Sequence, residues 1–150
     1  MERNDFHYMQ TAYNMACKAA EKEEVPVGTV IVHKNTIIAK AFNQIESLKD
    51  PTAHAEMIAI TQAASYLGSK VLNEAEIFVT LEPCPMCSMA IVLAKIKRLV
   101  FGAKDPRTGA AGSVYNIVQD KSLNHQVVVD SGLMEQECSM LLKEFFKKKR

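Results

Sequence analysis

The stretch EIFVTLEPCPMCSMAIVLAKIKRLVF, residues 76–101, sets the architecture of this chain. Residues 76–81 predict a β-strand, residues 85–95 an α-helix and residues 98–101 a second β-strand. A strand, a crossover helix and a strand form a βαβ unit, so the two strands are expected to be parallel neighbours in one sheet.

Signals on both sides extend this unit. The other predicted elements are a helix over 5–22, strands over 27–32 and 37–42 joined by a hairpin turn, a helix over 53–66 capped by residues 50–52 and ended by Gly68, a brief strand over 126–129 and a last helix over 134–148. The expected class is α/β, a three-layer α/β/α sandwich with a mixed central sheet, formed by residues 1–150 as one domain. Cys17 and Cys138 lie on apolar helical stripes and are predicted to be core residues.

The composition is that of an ordinary globular chain, with 48% hydrophobic and 23% charged residues and a formal net charge of +1. No global field therefore attracts polyanions, although Lys143–Arg150 carries five basic residues against one acid. That basic run is either a solvated helix end or a phosphate contact. The first residues lack the apolar core of a signal peptide, and no apolar run is long enough for a membrane span. Four cysteines in such a chain are expected to be reduced thiols in the cytoplasm.

The first segment with chemistry is Pro83-Cys84-Pro85-Met86-Cys87. Two cysteines three positions apart at a helix start lie on the same side of one turn. The helix N-terminus favours the thiolate, which is the metal-binding form. The pair also follows the carboxyl end of a strand, where sites form in open α/β sheets. Alone, this pattern is equally compatible with a redox dithiol or a structural zinc site.

The second segment is His54-Ala55-Glu56. A regular helix turns about 100° per residue, so His54 and Glu56 can face one centre only at a helix start, where residues 50–52 place them. With Cys84 and Cys87, His54 makes three metal ligands and leaves one coordination position for water, whose pKa a metal lowers. Glu56 is then the candidate base for that water. The alternative is a solvated first-turn acid on the helix dipole.

His-x-Glu followed by Pro-Cys-x-x-Cys resembles the zinc-dependent cytidine and deoxycytidylate deaminase superfamily, whose known mechanism is carried over with the resemblance. The resemblance implies a cytidine deaminase-like fold and one Zn²⁺ per subunit, held by His54, Cys84 and Cys87. It also implies that zinc-activated water attacks a carbon bearing an exocyclic amine. Glu56 would carry the proton to the ring nitrogen and then to the amine, which leaves as ammonia.

Blocks outside the site resemble the bacterial tRNA-specific adenosine deaminases. They are EVPVG at 24–28, DPTAHAE at 50–56, VTLEPC at 79–84, FGAKD at 101–105, TGAAGS at 108–113, LNH at 123–125 and the closing FF at 145–146 with its basic tail. This resemblance implies hydrolytic deamination of adenosine to inosine at the wobble position of a tRNA anticodon loop, by a homodimer.

The same resemblance assigns substrate-binding residues. Asn43 is expected to contact the flipped nucleotide, and the Ala55 amide to face the zinc water. Asp105 and the glycine-rich loop after it are expected to lie against the anticodon stem-loop, with Asn124 and the basic tail as further RNA contacts. From the residues alone, Asn43 is equally an ordinary strand-end asparagine and Asp105 an ordinary turn residue before Pro106.

Two other functions remain open at this stage. One is the same chemistry on a free base or nucleotide such as guanine, cytosine or deoxycytidylate, for which the loop over 105–113 and the basic terminal helix would be unnecessary. The other is a non-catalytic zinc module that binds RNA, in which Glu56 would have no role in turnover.

Overall fold

A computed structural model describes residues 4–149, so Met1, Glu2, Arg3 and Arg150, the last residue of the predicted basic run, lie outside the described residues. The elements are α1 (Asp5–Glu21), β1 (Gly28–His33), β2 (Thr36–Phe42), α2 (Ile45–Leu48), α3 (Ala55–Leu67), β3 (Ala75–Leu81), α4 (Pro85–Leu93), β4 (Arg98–Ala103), β5 (Val128–Ser131) and α5 (Glu135–Lys148). The strands form one five-stranded sheet in the order β2-β1-β3-β4-β5.

The sheet is mixed, as predicted. Strand β1 is antiparallel to both β2 and β3, whereas β3, β4 and β5 run parallel to one another. The parallel β3–β4 pair with α4 between its strands is the βαβ unit that residues 76–101 predict. Its strands end at the same edge of the sheet, where Leu81 pairs with Ala103.

Alternate residues of the central strands face two separate apolar clusters. Val30, Phe78 and Val100 pack with α1 on one face of the sheet. Their neighbours Ile77 and Leu99 lie on the other face, in a cluster that also contains the apolar residues of α3 and α4. The predicted three-layer α/β/α sandwich is therefore confirmed, with the sheet in the middle. No helix within residues 4–149 combines the length and apolarity that a bilayer crossing demands.

The structure corrects several details of the prediction. The last strand begins at Val128, two residues later than predicted, because the Val127 amide donates to the Val118 carbonyl before pairing with Arg98 begins. The short helix α2 was not predicted. Cys138 is buried as predicted, but Cys17 is only half-buried and so is a partial miss.

Helix α1 packs so closely on β1 that Gly28 has no room for a side chain. A Cβ atom at Gly28 would overlap the Ala12 carbonyl oxygen and the Ala16 amide nitrogen. Both are backbone atoms of α1, so they cannot move aside without shifting the helix. Gly68, in contrast, ends α3 with a φ of +63° and has no atom within 4 Å of its would-be Cβ.

We expect Gly28→Ala to lower the free energy of unfolding by about 3 kcal/mol through overpacking. The control Gly68→Ala introduces no clash and only places an alanine in the left-handed backbone region. It should lower the free energy of unfolding by about 1 kcal/mol. Urea denaturation of the two variants measures both values. Equal losses would contradict the close packing of α1 on β1.

Candidate active site

Two helix N-termini meet at the edge of the sheet where β3 and β4 end. His54 is the N-cap of α3 and Cys84 is the N-cap of α4, and both have extended backbone conformations. Cys87 lies in the first turn of α4, where Pro85 occupies the first helical position. Extended N-cap residues turn their side chains across the helix start, and this brings all three side chains together.

The ligand atoms of His54, Cys84 and Cys87 all lie within 4.8 Å of one another. The His54 Nδ1 atom is 3.7 Å from the Cys84 Sγ and 3.4 Å from the Cys87 Sγ. A zinc ion with bonds of about 2.3 Å to sulfur and about 2.0 Å to nitrogen at the tetrahedral angle places the sulfur and nitrogen atoms about 3.5 Å apart. The three residues therefore fit a zinc ion in both chemistry and spacing. Among residues 4–149 no other group of three such side chains is found.

The thiols of Cys84 and Cys87 share a hydrogen bond, which shifts their two pKa values in opposite directions. The hydrogen bond with Cys87 lowers the pKa of the Cys84 thiol to about 4, and His54 contributes in the same direction. The same bond, together with burial, raises the pKa of Cys87. The hydrogen bond with Cys84 raises the pKa of His54. Such a pair shares one proton, and a divalent cation between the two sulfurs would favour both thiolates.

Glu56 lies in the first turn of α3 and is only 3% exposed. Burial raises the pKa of its carboxyl group to about 7, although the nearby His54 opposes the shift. A hydrogen bond joins the Glu56 carboxyl group to Cys87. The carboxyl group therefore lies beside the metal-ligand cluster formed by His54, Cys84 and Cys87. The simple alternative, a solvated first-turn acid, is wrong because Glu56 is buried.

Asn43 and Ala55 are brought to the same place but contact each other. The Asn43 Oδ1 atom accepts a hydrogen bond of 2.8 Å from the Ala55 amide, and Asn43 is buried. In the structure the Ala55 N–H is directed at Asn43, and the expected contact of this amide with a zinc-bound water stays a prediction. Asn43 thereby satisfies a free N–H at the start of α3 and fixes the helix beside His54.

Asp105 begins the loop that follows β4 and serves as its turn residue. Its carboxylate accepts hydrogen bonds from the amides of Arg107 and Thr108, at 3.0 and 3.3 Å. Asn124 is not brought to the metal-ligand cluster. Its Oδ1 atom accepts from the Lys95 ammonium group at 3.1 Å, beyond the C-terminal end of α4. Because α4 has nine residues, that end lies about 14 Å from the start of the helix.

Sequence reasoning missed two buried glutamates, Glu24 and Glu82, which hold the start of α2 and the loop over 105–113. Glu24 accepts from the amides of Glu46 and Ser47 at 3.0 and 2.7 Å. Glu82 accepts from the amides of Asp105 and Ala111 at 2.9 and 3.0 Å. Burial favours the protonated form, but these hydrogen bonds outweigh it and keep each pKa below its ordinary value. The available signal was their place in the EVPVG and VTLEPC blocks, which marked both glutamates without giving them a role.

Comparison with known proteins gives the family. The protein-family model that is described as MafB19-like deaminase matches residues 3–150 of this chain. The tRNA-specific adenosine deaminase of Aquifex aeolicus (strain VF5) is 49% identical over 144 residues, which cover 96% of this chain and 95% of that protein. The enzyme of the same name from Bacillus subtilis (strain 168) is 46% identical over 95% of this chain and 89% of that protein. This chain belongs to the tRNA-specific adenosine deaminase family.

Solved structures agree with this deaminase assignment. One, from a study of A-to-I editing by tRNA:A34 deaminases at the wobble position of transfer RNA, is 42% identical with a TM-score of 0.88. The match covers 91% of this chain and 99% of the chain in that solved structure. A guanine deaminase from Bacillus subtilis is 36% identical over 68% of this chain and 66% of that chain, with a TM-score of 0.65. The deaminase fold therefore extends beyond the tRNA-specific family.

We expect Cys84→Ala to abolish stoichiometric zinc binding, because two protein ligands remain where a catalytic zinc site has three. Metal analysis of the purified, dialysed protein measures the zinc content. Cys17→Ala is the matched control, since Cys17 is half-buried on α1 and outside the cluster. A Cys84→Ala protein with one zinc per chain would rule out the ligand assignment.

Proposed function

We propose that this chain hydrolytically deaminates adenosine to inosine at the wobble position of a tRNA anticodon loop, with one zinc ion per subunit. The observation that carries the proposal is the cluster of His54, Cys84 and Cys87 with the buried Glu56 beside it. The substrate class is supported by relatives of up to 49% identity whose similarity extends over almost the whole chain. We further propose that the protein acts in the cytoplasm, together with its tRNA substrate.

In this proposal His54, Cys84 and Cys87 hold the zinc. A zinc ion held by these three residues would supply Lewis-acid chemistry, because it would lower the pKa of a water molecule bound to it. Glu56 moves the protons: its carboxylate accepts one from the water and delivers it to the adenine ring nitrogen, and a proton then passes to the exocyclic amine. The water oxygen becomes the carbonyl of inosine and the amine leaves as ammonia.

The buried surroundings of Glu56 suit it to both steps of this proton transfer. A carboxyl group in water is almost fully ionised at neutral pH and is a poor proton donor. Burial makes the neutral form of Glu56 accessible, so the same group can accept a proton and later donate it. Asn43 supports this arrangement because it fixes the first turn of α3, which carries Glu56.

A basic groove at the end of β4 supports RNA as the substrate. The groove lies between the end of β4 and α5 and has a volume of about 700 Å³. Its cationic residues are Lys104, Arg107, Lys143, Lys147 and Lys149. Phe146 also lines it and is 46% exposed, so an aromatic ring is available for a base to stack on. Because the net charge of the chain is only +1, this local concentration of cations is what a phosphate backbone would meet.

We expect Glu56→Gln to keep its zinc and its affinity for an anticodon stem-loop while turnover falls by about 10³-fold, since the amide cannot accept the proton. Inosine in the digested stem-loop measures turnover, and metal analysis measures zinc. Glu21→Gln, at an exposed position of α1, is the control and should behave like the unmodified protein. Undiminished turnover of Glu56→Gln would exclude Glu56 as the proton carrier.

The same assay distinguishes the nearest alternative. The guanine deaminase of Bacillus subtilis shares 36% identity with part of this chain, so a free base is the competing substrate. Guanine, cytosine and adenine are therefore incubated beside a stem-loop with adenosine at the wobble position. Deamination of a free base, with no inosine in the stem-loop, would overturn the RNA substrate. A protein that binds the stem-loop and zinc without turnover would be a non-catalytic RNA-binding module.

We also propose a homodimer that forms through the outer face of α3 and α4. A groove of about 690 Å³ on this face is lined mainly by apolar side chains, among them Ile60, Val71 and Leu93, together with Lys70 and Lys95. Leu93 is 68% exposed and Val71 is 42% exposed. Apolar residues at this exposure indicate a protein interface, and the second copy of this chain that the family resemblance implies would cover them.

We expect light scattering to give the protein twice its chain mass of 16.7 kDa, and Leu93→Lys to give the mass of one chain. A lysine there would place a charge in the apolar interface. Met140→Lys, at a 54% exposed apolar position on α5, should leave the dimer intact. A dimeric Leu93→Lys protein would contradict this choice of interface.

A further inference from the structure

The loop over 105–113 is attached to the sheet by one buried side chain, Glu82. Glu82 follows β3 directly and is 2% exposed. Its Oε1 atom accepts from the Asp105 amide at 2.9 Å, and its Oε2 atom accepts from the amides of Ala111 and Ser113, both at 3.0 Å. The Ser113 hydroxyl donates to Oε1 as well. One carboxylate therefore joins the beginning of the loop to its end.

The donors around Glu82 require a carboxylate. Three are backbone amides and one is a hydroxyl, and in the described structure none of these four belongs to a cation. Only an ionised carboxylate accepts at both oxygens, and hydrogen bonds to a charged acceptor are about twice as strong as neutral ones. A glutamine of the same shape would turn an NH₂ group toward at least one N–H and leave that donor unpaired.

The middle of the loop, at Gly109, also packs closely against the Glu82 carboxyl group. A Cβ atom at Gly109 would overlap the Glu82 carboxyl group and the Asp105 carbonyl oxygen. Gly109 is buried, and the Gly109 amide donates to that Asp105 carbonyl at 2.9 Å. The loop can therefore close over the carboxylate only where position 109 has no side chain.

These contacts fix the loop relative to the metal-ligand cluster. Glu82 precedes Cys84 by two residues, and the Ala110 amide donates to the Pro83 carbonyl at 2.8 Å. Asp105, whose amide is bound to Glu82, holds Arg107 through its own carboxylate. Arg107 and Lys104, the residue before Asp105, line the basic groove. A path of direct contacts thus runs from the Cys84 segment to the backbone of Arg107, at that groove.

We propose that Glu82 is a positioning residue for substrate binding, whose carboxylate holds the loop over 105–113 in the shape that receives the RNA, at a fixed distance from Cys84. This rests on the proposed function, because the loop has a substrate to receive only if the substrate is RNA. Glu82 is buried and is not one of the three metal ligands, so it would act on the substrate only through the loop. Its effect is therefore on substrate affinity and not on the chemical step.

The experiment compares Glu82→Gln with Glu76→Gln. Glu76 is also buried and lies on β3, the strand that Glu82 follows, but it is near the opposite end, where it pairs with Arg98 at 3.5 Å. We expect Glu82→Gln to keep one zinc per chain and to raise the KM for the anticodon stem-loop about tenfold, equivalent to about 1.4 kcal/mol, with kcat within about threefold. Glu76→Gln should lower the melting temperature without changing KM.

Gly109→Ala tests the same contact from the loop side. It leaves the Glu82 charge in place but pushes the loop away, so it should also raise KM while zinc is retained. Hydrogen exchange of the peptide over 105–113 provides a readout without activity. Exchange should become faster in Glu82→Gln and Gly109→Ala and stay unchanged in Glu76→Gln.

Several outcomes would overturn the proposal. These are an unchanged KM for Glu82→Gln, an equal rise in KM for Glu76→Gln, loss of zinc from Glu82→Gln, or unchanged loop exchange in Glu82→Gln. If the unmodified protein deaminates no stem-loop, the proposed function fails, and the RNA-binding role of Glu82 fails with it. Hydrogen exchange still decides in that case whether Glu82 holds the loop.

Discussion

The structure depends on one geometric constraint: α3 and α4 must begin at the same edge of the sheet. The parallel β3–β4 pair places the start of α4 at that edge, directly after β3. The apolar residues of α3 and α4 share one cluster beneath it. The positive ends of two helix dipoles therefore face the same point, where they favour thiolates and a carboxylate. The ligand set follows from this packing, since His54 and Cys84 are both N-cap residues.

Three buried glutamates surround this edge, and their partners give them different properties. Glu24 and Glu82 each accept several backbone N–H bonds, which keep their pKa values low, so they act as fixed negative charges. For Glu56, burial prevails and the pKa rises to about 7. A glutamate is thus a structural anion at positions 24 and 82, and at position 56 it has the raised pKa that suits the proton carrier of the proposed function. Separation of pKa values among neighbouring acids is how acid–base roles are assigned in active sites.

The extent to which the sequence predicts this protein depends on the range of the interactions. The βαβ unit and the convergence of His54 with the cysteine pair follow from local spacing and helix-capping signals. The roles of Glu24 and Glu82 do not, because their partners lie more than 20 residues away and are backbone amides without a sequence signature. The hydrogen bond between Asn43 and the Ala55 amide was missed because that partner, too, is a backbone amide without a sequence signature, although it lies only 12 residues away. The start of β5 depends on a contact between Val127 and Val118.

The metal-ligand cluster and the proposed RNA-facing surface are held by different parts of the fold. His54, Cys84 and Cys87 are fixed by helices packed on the sheet, so any change in their spacing would disturb the core. The loop over 105–113 has most of its anchoring in Glu82 and Pro83, at the end of β3. A new loop sequence can therefore alter what is bound without moving the ligands. The 36% identity to a guanine deaminase over about two thirds of this chain fits such a division, in which chemistry is retained and the substrate changes.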